Sequence, residues 1–236
     1  MGENLVILGT GQLAQAFKMS NVGHVCIFAS GVSNSNCTDA SQFDRERNLL
    51  KSTLEKYGEK KFVYFSSCAL SAPEYQKNAY YQHKKQMEEL VRLNSNNYYI
   101  FRIPQLFGKL KHHKTLINFL YESILNGDKF NIYSGAYRYV IEIEDVRKLV
   151  ESYLEHHPVQ LIVDLANPYR YNIMELVEIF EKLLGKKAIY EMVQKDDQYL
   201  LDLSSLENFV LENKLNIQFG HNYFENKLQK LLKQEM

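Results

Sequence analysis

Short apolar runs alternate with longer amphipathic stretches along the first half of the chain. Leu5 to Leu8 is an apolar run ending at Gly9, the signature of a buried strand. A helical stretch follows at about Gln12 to Lys18, and His24 to Ala29 predicts a second strand. Asp39 to Tyr57 is polar with an apolar stripe at Phe43, Leu50 and Leu54, which predicts a helix with one buried face. Phe62 to Phe65 predicts a third strand, Asn78 to Asn94 a helix and Tyr98 to Arg102 a fourth strand. This alternation implies an α/β fold with a parallel sheet and right-handed crossovers. Such sheets bind ligands beyond the carboxyl ends of their strands.

The second half is less regular. Thr115 to Leu125 and Glu144 to Leu154 read as helices, and Lys129 to Tyr133 and Leu161 to Leu165 as extended segments. Asn172 with Glu175 forms a capping box ahead of an apolar stripe at Leu176, Ile179, Phe180, Leu183 and Leu184, with Gly185 as the stop. Ser204 with Glu207 repeats the capping pattern, and a last helix is predicted near Tyr223 to Leu232. No repeat or Pro/Gly-rich linker divides the chain. The expectation is a core over 1–108 and a cap with a returning strand and C-terminal helices over 109–236, packed as one unit.

Composition narrows the function classes. Lys+Arg and Asp+Glu both number 28 in 236 residues, so no overall field draws the chain to nucleic acid or to an anionic membrane. The 17 tyrosines do not alternate with basic residues as a nucleic-acid platform would. The longest apolar runs are too short to span a bilayer. The N-terminus has no basic region ahead of its apolar run, so it does not read as a signal peptide. Three cysteines, Cys26, Cys37 and Cys68, lack metal or redox spacing, and an odd number suits a reducing compartment; the cytoplasm is the simplest location. No metal-ligating cluster is indicated: Lys111-His112-His113-Lys114 reads as a solvated loop, and His156 and His157 suit a helix end.

Three motifs carry chemistry. Gly9-Thr10-Gly11-Gln12-Leu13-Ala14 follows a strand and opens a helix, as the G-x-G-x-x-G/A dinucleotide fingerprint requires. Gly9 would allow the tight turn, Gly11 the approach of a pyrophosphate, and Ala14 close packing of helix on strand. Tyr80 and Lys84, four apart on a predicted helix, share a face. A nearby ammonium favours phenolate, which would make Tyr80 an acid/base for an alcohol or ketone. The overlapping Tyr81 and Lys85 fit the same spacing. Phe65-Ser66-Ser67-Cys68 ends the third strand; its hydroxyls could hold a substrate oxygen, and Cys68 is a weaker candidate nucleophile with no base placed beside it.

The order of these motifs resembles the extended short-chain dehydrogenase/reductase superfamily, and more narrowly its NAD-dependent sugar-nucleotide epimerase/dehydratase branch. The glycine turn is followed by Phe28-Ala29-Ser30-Gly31, Val63-Tyr64-Phe65-Ser66-Ser67, Tyr-x-x-x-Lys with Glu88, and Phe101-Arg102-Ile103-Pro104-Gln105-Leu106-Phe107-Gly108. Later, Arg138-Tyr139-Val140-Ile141-Glu142-Ile143-Glu144-Asp145 is similar to the family's R-D-[YF]-I-H-V-x-D stretch, and Asp164-Leu165-Ala166-Asn167 to its later strand-to-helix element.

The resemblance implies a Rossmann-like doubly wound sheet with a small mixed α/β substrate-binding cap. It implies NAD or NADP as cofactor and a nucleotide-sugar substrate, changed by epimerisation, dehydration or keto reduction. Tyr80 would be the acid/base, Lys84 would bind the nicotinamide ribose and lower the tyrosine pKa, and Ser67 would hold the sugar oxygen. Gly9, Gly11, Gln12, Leu13, Ala29, Ser30 and Pro104 would line the cofactor. Gln105 stands where many relatives have a substrate-binding Asn, and Arg138 would hold the substrate diphosphate. A homodimer through 39–57 and 78–94 is a further expectation.

Three departures accompany the match. Met19 and His24 are only five positions apart, so two strands, and the residue that reads the adenosine ribose, are missing. Ser67 and Tyr80 are only 13 positions apart, a shortened loop. Glu142 replaces the family's usual His. These motivate two alternatives: a non-catalytic sugar-nucleotide-binding or regulatory protein, and an enzyme of this fold without a redox cofactor.

Overall fold

A computed structural model describes residues 5–75, 77–110 and 115–235. The first half lays down β1 (Leu5–Leu8), α1 (Gln12–Ala16), β2 (Val25–Phe28), α2 (Ala40–Tyr57), β3 (Lys61–Ser67), α3 (Ala79–Asn94) and β4 (Tyr98–Ile103). Then come β5 (Gln105–Phe107), α4 (Leu116–Asn126), β6 (Lys129–Arg138), β7 (Val140–Glu142), α5 (Ile143–His156) and β8 (Leu161–Asp164). The chain ends with β9 (Tyr171–Asn172), α6 (Ile173–Leu184), β10 (Ile189–Asp197), α7 (Ser204–Glu212) and α8 (Tyr223–Glu235).

The main sheet is parallel, in the order β1-β2-β3-β4-β8. It stops at β1: among the described residues no strand flanks that edge, where a full Rossmann sheet has two more. Side chains alternate across it with a period of two. Val25, Ile27, Val63, Phe65, Tyr99 and Phe101 face one core with Phe17, Val146 and Leu149. Cys26, Phe28, Phe62, Tyr64 and Ile100 face the other, with Leu50, Leu54, Met87 and Val91 of α2 and α3.

This division sets the handedness. The strands are laid down in one direction across the sheet, yet α1 and α5 cover one face and α2 and α3 the other. Parallel crossovers that step the same way on opposite faces have opposite hands. The right-handed rule expected for every crossover therefore holds on one face only. Fully buried Ala14 and Phe17, the latter 5.9 Å from the Phe65 ring, draw the short β1–β2 link onto the α5 face. As a result the chain leaves β1 and β2 toward opposite faces, the arrangement that in such sheets places a ligand crevice at the carboxyl ends of the two strands.

The caps follow the sequence closely. Asp39, Asn78 and Thr115 each accept a hydrogen bond from the first turn of α2, α3 and α4. The Asn172/Glu175 box closes on α6, and Gly185 ends that helix at φ 64°. The second box does not form: Ser204 lies inside α7, and Asp202 accepts from its backbone and hydroxyl instead. β6 runs on to Arg138, beyond the predicted end, because β10 pairs along it in parallel from Ile189. The hydrophobic pattern predicts no strand at β10, whose exposed edge carries little alternation.

One core cluster joins both halves, from Val63 and Phe101 to Val177, Phe180 and Phe224. α2 and α3 pack on each other, and the residues they expose are mostly polar, including Asp44, Lys51 and Glu55 on α2 and Gln82, Lys85 and Glu89 on α3, with Leu93 near the end of α3 exposed as well. A homodimer built on these helices would meet through a mostly polar surface. Among the described residues no helix is long and apolar enough to cross a membrane. The Lys111–Lys114 stretch lies outside the described residues.

Candidate functional site

The loops at the carboxyl ends of β1 and β2 touch each other. Gly9 has φ 129°, and a β-carbon there would lie 2.3 Å from the Ala29 carbonyl oxygen. The Ala29 N–H donates to the Leu8 carbonyl at 2.7 Å, so the loops after β1 and β2 are stitched together. Gly11 begins α1 and has open space where a side chain would stand. Gly9→Ala is expected to cost about 1–3 kcal/mol, because the backbone conformation and the contact both exclude a methyl group. A thermal melt checks it, and an unchanged midpoint would count against this packing.

Neighbouring side chains are already committed. The Gln12 amide donates to the Lys109 carbonyl and accepts from the Lys109 N–H, both at 2.8 Å. It therefore clamps the loop after β5 onto the start of α1, a different task from the cofactor contact expected of it. Leu13 packs against the main core. The Arg45 guanidinium donates to the Ser30 carbonyl at 3.1 Å and to its hydroxyl at 3.4 Å, fixing the loop after β2.

Tyr80 and Lys84 do share a face of α3, and it faces inward: Tyr80 is 7% and Lys84 3% exposed, whereas Lys85 is exposed. Lys84 Nζ donates to Glu46 Oε1 at 3.0 Å and to the Tyr64 hydroxyl at 3.1 Å. Glu46, on α2, is fully buried and takes three more donors. These are Val32 N–H at 2.6 Å, Tyr64 O–H at 2.7 Å and His83 Nε2 at 3.0 Å. Burial alone would raise its carboxyl, but Lys84, His83, Val32 and Tyr64 outweigh that and hold it well below the usual carboxylate range. Gly31 closes over the pair: a β-carbon there would meet Lys84 Nζ at 2.6 Å and Glu46 Oε1 at 2.9 Å.

This arrangement corrects the expected electrostatics. Lys84 was expected to lower the Tyr80 pKa. Its charge is instead compensated by Glu46, and the ammonium is 5.9 Å from the centre of the Tyr80 ring. Burial pushes the Tyr80 phenol well above its ordinary value, and Tyr81 and Glu46 push the same way. Tyr80 is therefore a neutral phenol at physiological pH. Its hydroxyl makes no hydrogen bond to a described residue. It sits with Val32, Cys37, Ala69 and Tyr81 in a small cluster between the loops after β2 and β3.

The end of β3 divides its residues by role. Ser67 is half-buried at the strand's last position, and its hydroxyl does not cap the following turn. Cys68 is fully buried and its thiol donates to the Arg102 carbonyl at 3.1 Å. Burial raises that thiol well above its ordinary value, which removes it as a nucleophile. Arg102 forms a two-pronged pair with Glu88 at 2.9 and 2.7 Å and donates to Ser71 at 2.9 Å, so Glu88 braces β4 against α3. Pro104 links β4 to β5, and Gln105 opens β5; both are half-buried.

Arg138 lies at the end of β6, paired with Asp197 at the end of β10 at 2.5 Å. It also donates to the Asp197 and Tyr137 carbonyls at 2.8 and 2.9 Å. The other Asp197 oxygen accepts from the Tyr75 hydroxyl at 2.6 Å. Tyr199 stacks beside Tyr75 at 5.0 Å and Tyr139 at 5.7 Å. β10 thus delivers an acid onto the arginine expected to hold a diphosphate. A shallow groove of about 640 Å³ elsewhere, between α6 and β10, is lined by charges such as the Lys187–Glu181 pair and lies away from the carboxyl edge of the sheet.

Sequence reasoning missed Glu46, Arg45, Asp197 and Tyr199. Glu46 had a visible signal, since it falls on the apolar stripe of α2, three positions after Phe43 and four before Leu50. Asp197 had none, because its strand was not foreseen.

No protein-family model matches the chain, and no curated protein matches it in sequence. Solved structures match in fold. A dTDP-4-dehydrorhamnose reductase from Clostridium acetobutylicum superposes with a TM-score of 0.74 at 13% identity, covering 98% of this chain and 99% of that one. A UDP-glucuronic acid 4-epimerase from Bacillus cereus, solved with UDP-glucuronic acid and NAD, gives 0.71 at 14%, covering 96% and 80%. A UDP-N-acetylglucosamine 4-epimerase from Methanobrevibacter ruminantium gives 0.68 at 17%, covering 96% and 81%. The chain has the fold of these nucleotide-sugar enzymes, with the sheet shortened at one edge.

Proposed function

We propose that the chain is a nicotinamide-dependent enzyme of nucleotide-activated sugars, working as a reductase of a sugar ketone. One observation carries the reading: a neutral, buried phenol, Tyr80, with its hydroxyl unclaimed by described residues, in the loop cluster beyond the carboxyl ends of β2 and β3. A protonated phenol at that place can give its proton to the oxygen of a ketone as it is reduced. The fold match to a reductase over nearly its whole length supports this direction over epimerisation or dehydration.

The residues fit the diphosphate and nicotinamide end of NAD or NADP. Gly9 makes the turn, Gly11 leaves its backbone approachable, and Ala29, Ser30 and Pro104 border the crevice. On the adenosine side, among the described residues, the sheet ends at the edge of β1. When bound, the nicotinamide supplies hydride chemistry. The chain's own part is to orient the sugar and move the proton: Ser67 holds the ketone oxygen, Tyr80 protonates it, and Gln105 contacts the sugar. Arg138 takes the diphosphate by exchanging Asp197 for phosphate oxygens.

A second reading rests on a specific observation. Glu46 already occupies Lys84, the residue that would otherwise grip the nicotinamide ribose, and among the described residues the adenosine half of the sheet is missing. A sugar-nucleotide-binding protein without redox chemistry accounts for both. Calorimetry with NAD, NADP, UDP-N-acetylglucosamine and dTDP-glucose, singly and together, separates the two. Dinucleotide binding, strengthened by sugar nucleotide, supports the enzyme; sugar-nucleotide binding with no dinucleotide affinity in either setting replaces it with the binding protein. Arg138→Lys is expected to weaken sugar-nucleotide binding roughly tenfold by losing the two-pronged phosphate contact.

A further inference from the structure

Asp197 ends β10, and its carboxylate joins two distant parts of the chain. One oxygen accepts from the Arg138 guanidinium, on β6, at 2.5 Å. The other accepts from the Tyr75 hydroxyl, in the loop between β3 and α3, at 2.6 Å. That loop runs into the helix that carries Tyr80. The Tyr75 ring meets Tyr81 edge-on at 5.7 Å, and Tyr81 meets Tyr80 edge-on at 5.1 Å. Tyr75 and Tyr199 both pack against the buried cluster that holds Tyr80. The aromatic wall around the candidate proton donor is thus tied, through Tyr75 and Asp197, to Arg138.

We infer that Asp197 is an internal stand-in for phosphate: it latches Tyr75 against the Tyr80 cluster and releases it when a diphosphate takes Arg138. The inference rests on Arg138 being the holder of the substrate diphosphate. It deepens that reading by coupling capture of the nucleotide to access at Tyr80.

Two anions compete for one guanidinium. Carboxylate and phosphate present the same pair of acceptor oxygens to arginine, and a diphosphate brings the larger charge. The Arg138 and Asp197 side chains are 18% and 22% exposed, so an anion arriving from solvent reaches the pair. Once phosphate oxygens hold Arg138, Asp197 has lost its cation and faces like charge, and it gains by turning to water. Tyr75 then loses its acceptor. Tyr199 stays in place: its carbonyl accepts from Arg170 at 3.2 Å, the Gln198 side chain accepts from Arg170 at 3.0 Å, and Leu201 N–H donates to the Tyr139 hydroxyl at 3.1 Å. The segment after β10 is therefore fixed independently of the Asp197 carboxylate, and Tyr75 is the part that moves. Lys77 donates to the Ala69 and Ala72 carbonyls and keeps the shape of the Tyr75 loop as the latch opens.

The test follows Tyr75 in the full chain by NMR of ring-labelled tyrosine, assigned with Tyr75→Phe, during titration with inorganic pyrophosphate. In the wild type, pyrophosphate should shift the Tyr75 signal saturably. Asp197→Ala should bind pyrophosphate roughly tenfold tighter, because no internal anion has to be displaced. Tyr75→Phe keeps the Arg138–Asp197 pair and every charge, and cuts only the latch; it should also bind tighter than the wild type, by a smaller factor. Simple repulsion between Asp197 and the ligand would leave Tyr75→Phe unchanged. The inference is overturned by a Tyr75 signal that does not move at saturation, by equal affinity in Tyr75→Phe and wild type, or by no pyrophosphate binding to any of the proteins. Because Tyr75→Phe removes one hydroxyl, it decides the matter even if Asp197→Ala does not fold. UDP-N-acetylglucosamine is titrated in parallel. Sugar-nucleotide binding with Tyr75 unmoved rejects the latch and spares the substrate reading; a Tyr75 response to pyrophosphate with no sugar-nucleotide binding does the reverse.

Discussion

Tyr80→Phe is expected to abolish reduction of a nucleotide-linked sugar ketone while leaving the fold in place. A positioned proton donor contributes roughly 10²–10⁴-fold to rate, so turnover should fall by that factor. The structural cost should be small. The Tyr80 hydroxyl bonds no described residue, so its removal orphans no buried partner, and the ring keeps its packing against Tyr81 at 5.1 Å. The measurement is nicotinamide absorbance with a panel of keto-sugar nucleotides, alongside a thermal melt. Full activity in a folded Tyr80→Phe variant would end the mechanism. Loss of activity together with loss of the melt would assign Tyr80 to packing.

The second large effect is on stability. Lys84→Met leaves Glu46 as a buried carboxylate without its cation, which costs about 3–5 kcal/mol in such pairs. The double replacement Lys84→Met/Glu46→Gln should recover most of that loss, because two neutral side chains of similar volume need no charge compensation. Urea midpoints for the two singles and the double provide the cycle. Equal destabilisation by the single and the double would mean that the pair contributes packing alone.

The same group predicts an acid dependence. The Glu46 carboxyl is held below its ordinary value in the folded state. Its contribution is therefore fully present above the unfolded carboxylate pKa of about 4.3 and is lost as pH falls through the folded value. In Glu46→Gln that part of the acid slope should vanish. Stability measured across the acid range checks the sign: a slope unchanged by the substitution would place the titration elsewhere.

Local patterns carried much of the architecture. Strand and helix positions in the first half follow from apolar periodicity, and the starts of α2, α3, α4 and α6 from Asp39, Asn78, Thr115 and Asn172. These are legible because cap and helix lie within three residues of each other. The glycine turn was legible for the same reason. Ser204 shows the limit: Asp202, two residues earlier, accepts from the Ser204 N–H and hydroxyl, so Ser204 starts the helix instead of capping it.

What the sequence by itself determined is the alternation of elements, the turn at Gly9, and the facing of Tyr80 and Lys84 along one side of a helix. The tertiary structure alone decided which charge meets Lys84 and which meets Arg138, since Glu46 is 38 positions away and Asp197 is 59. It also decided the hand of the crossover after β1. The physical reason is common to all three. A period or a cap depends on the geometry of a few consecutive residues, whereas the charge beside a buried phenol depends on how distant segments pack, and that is set only when the whole core closes.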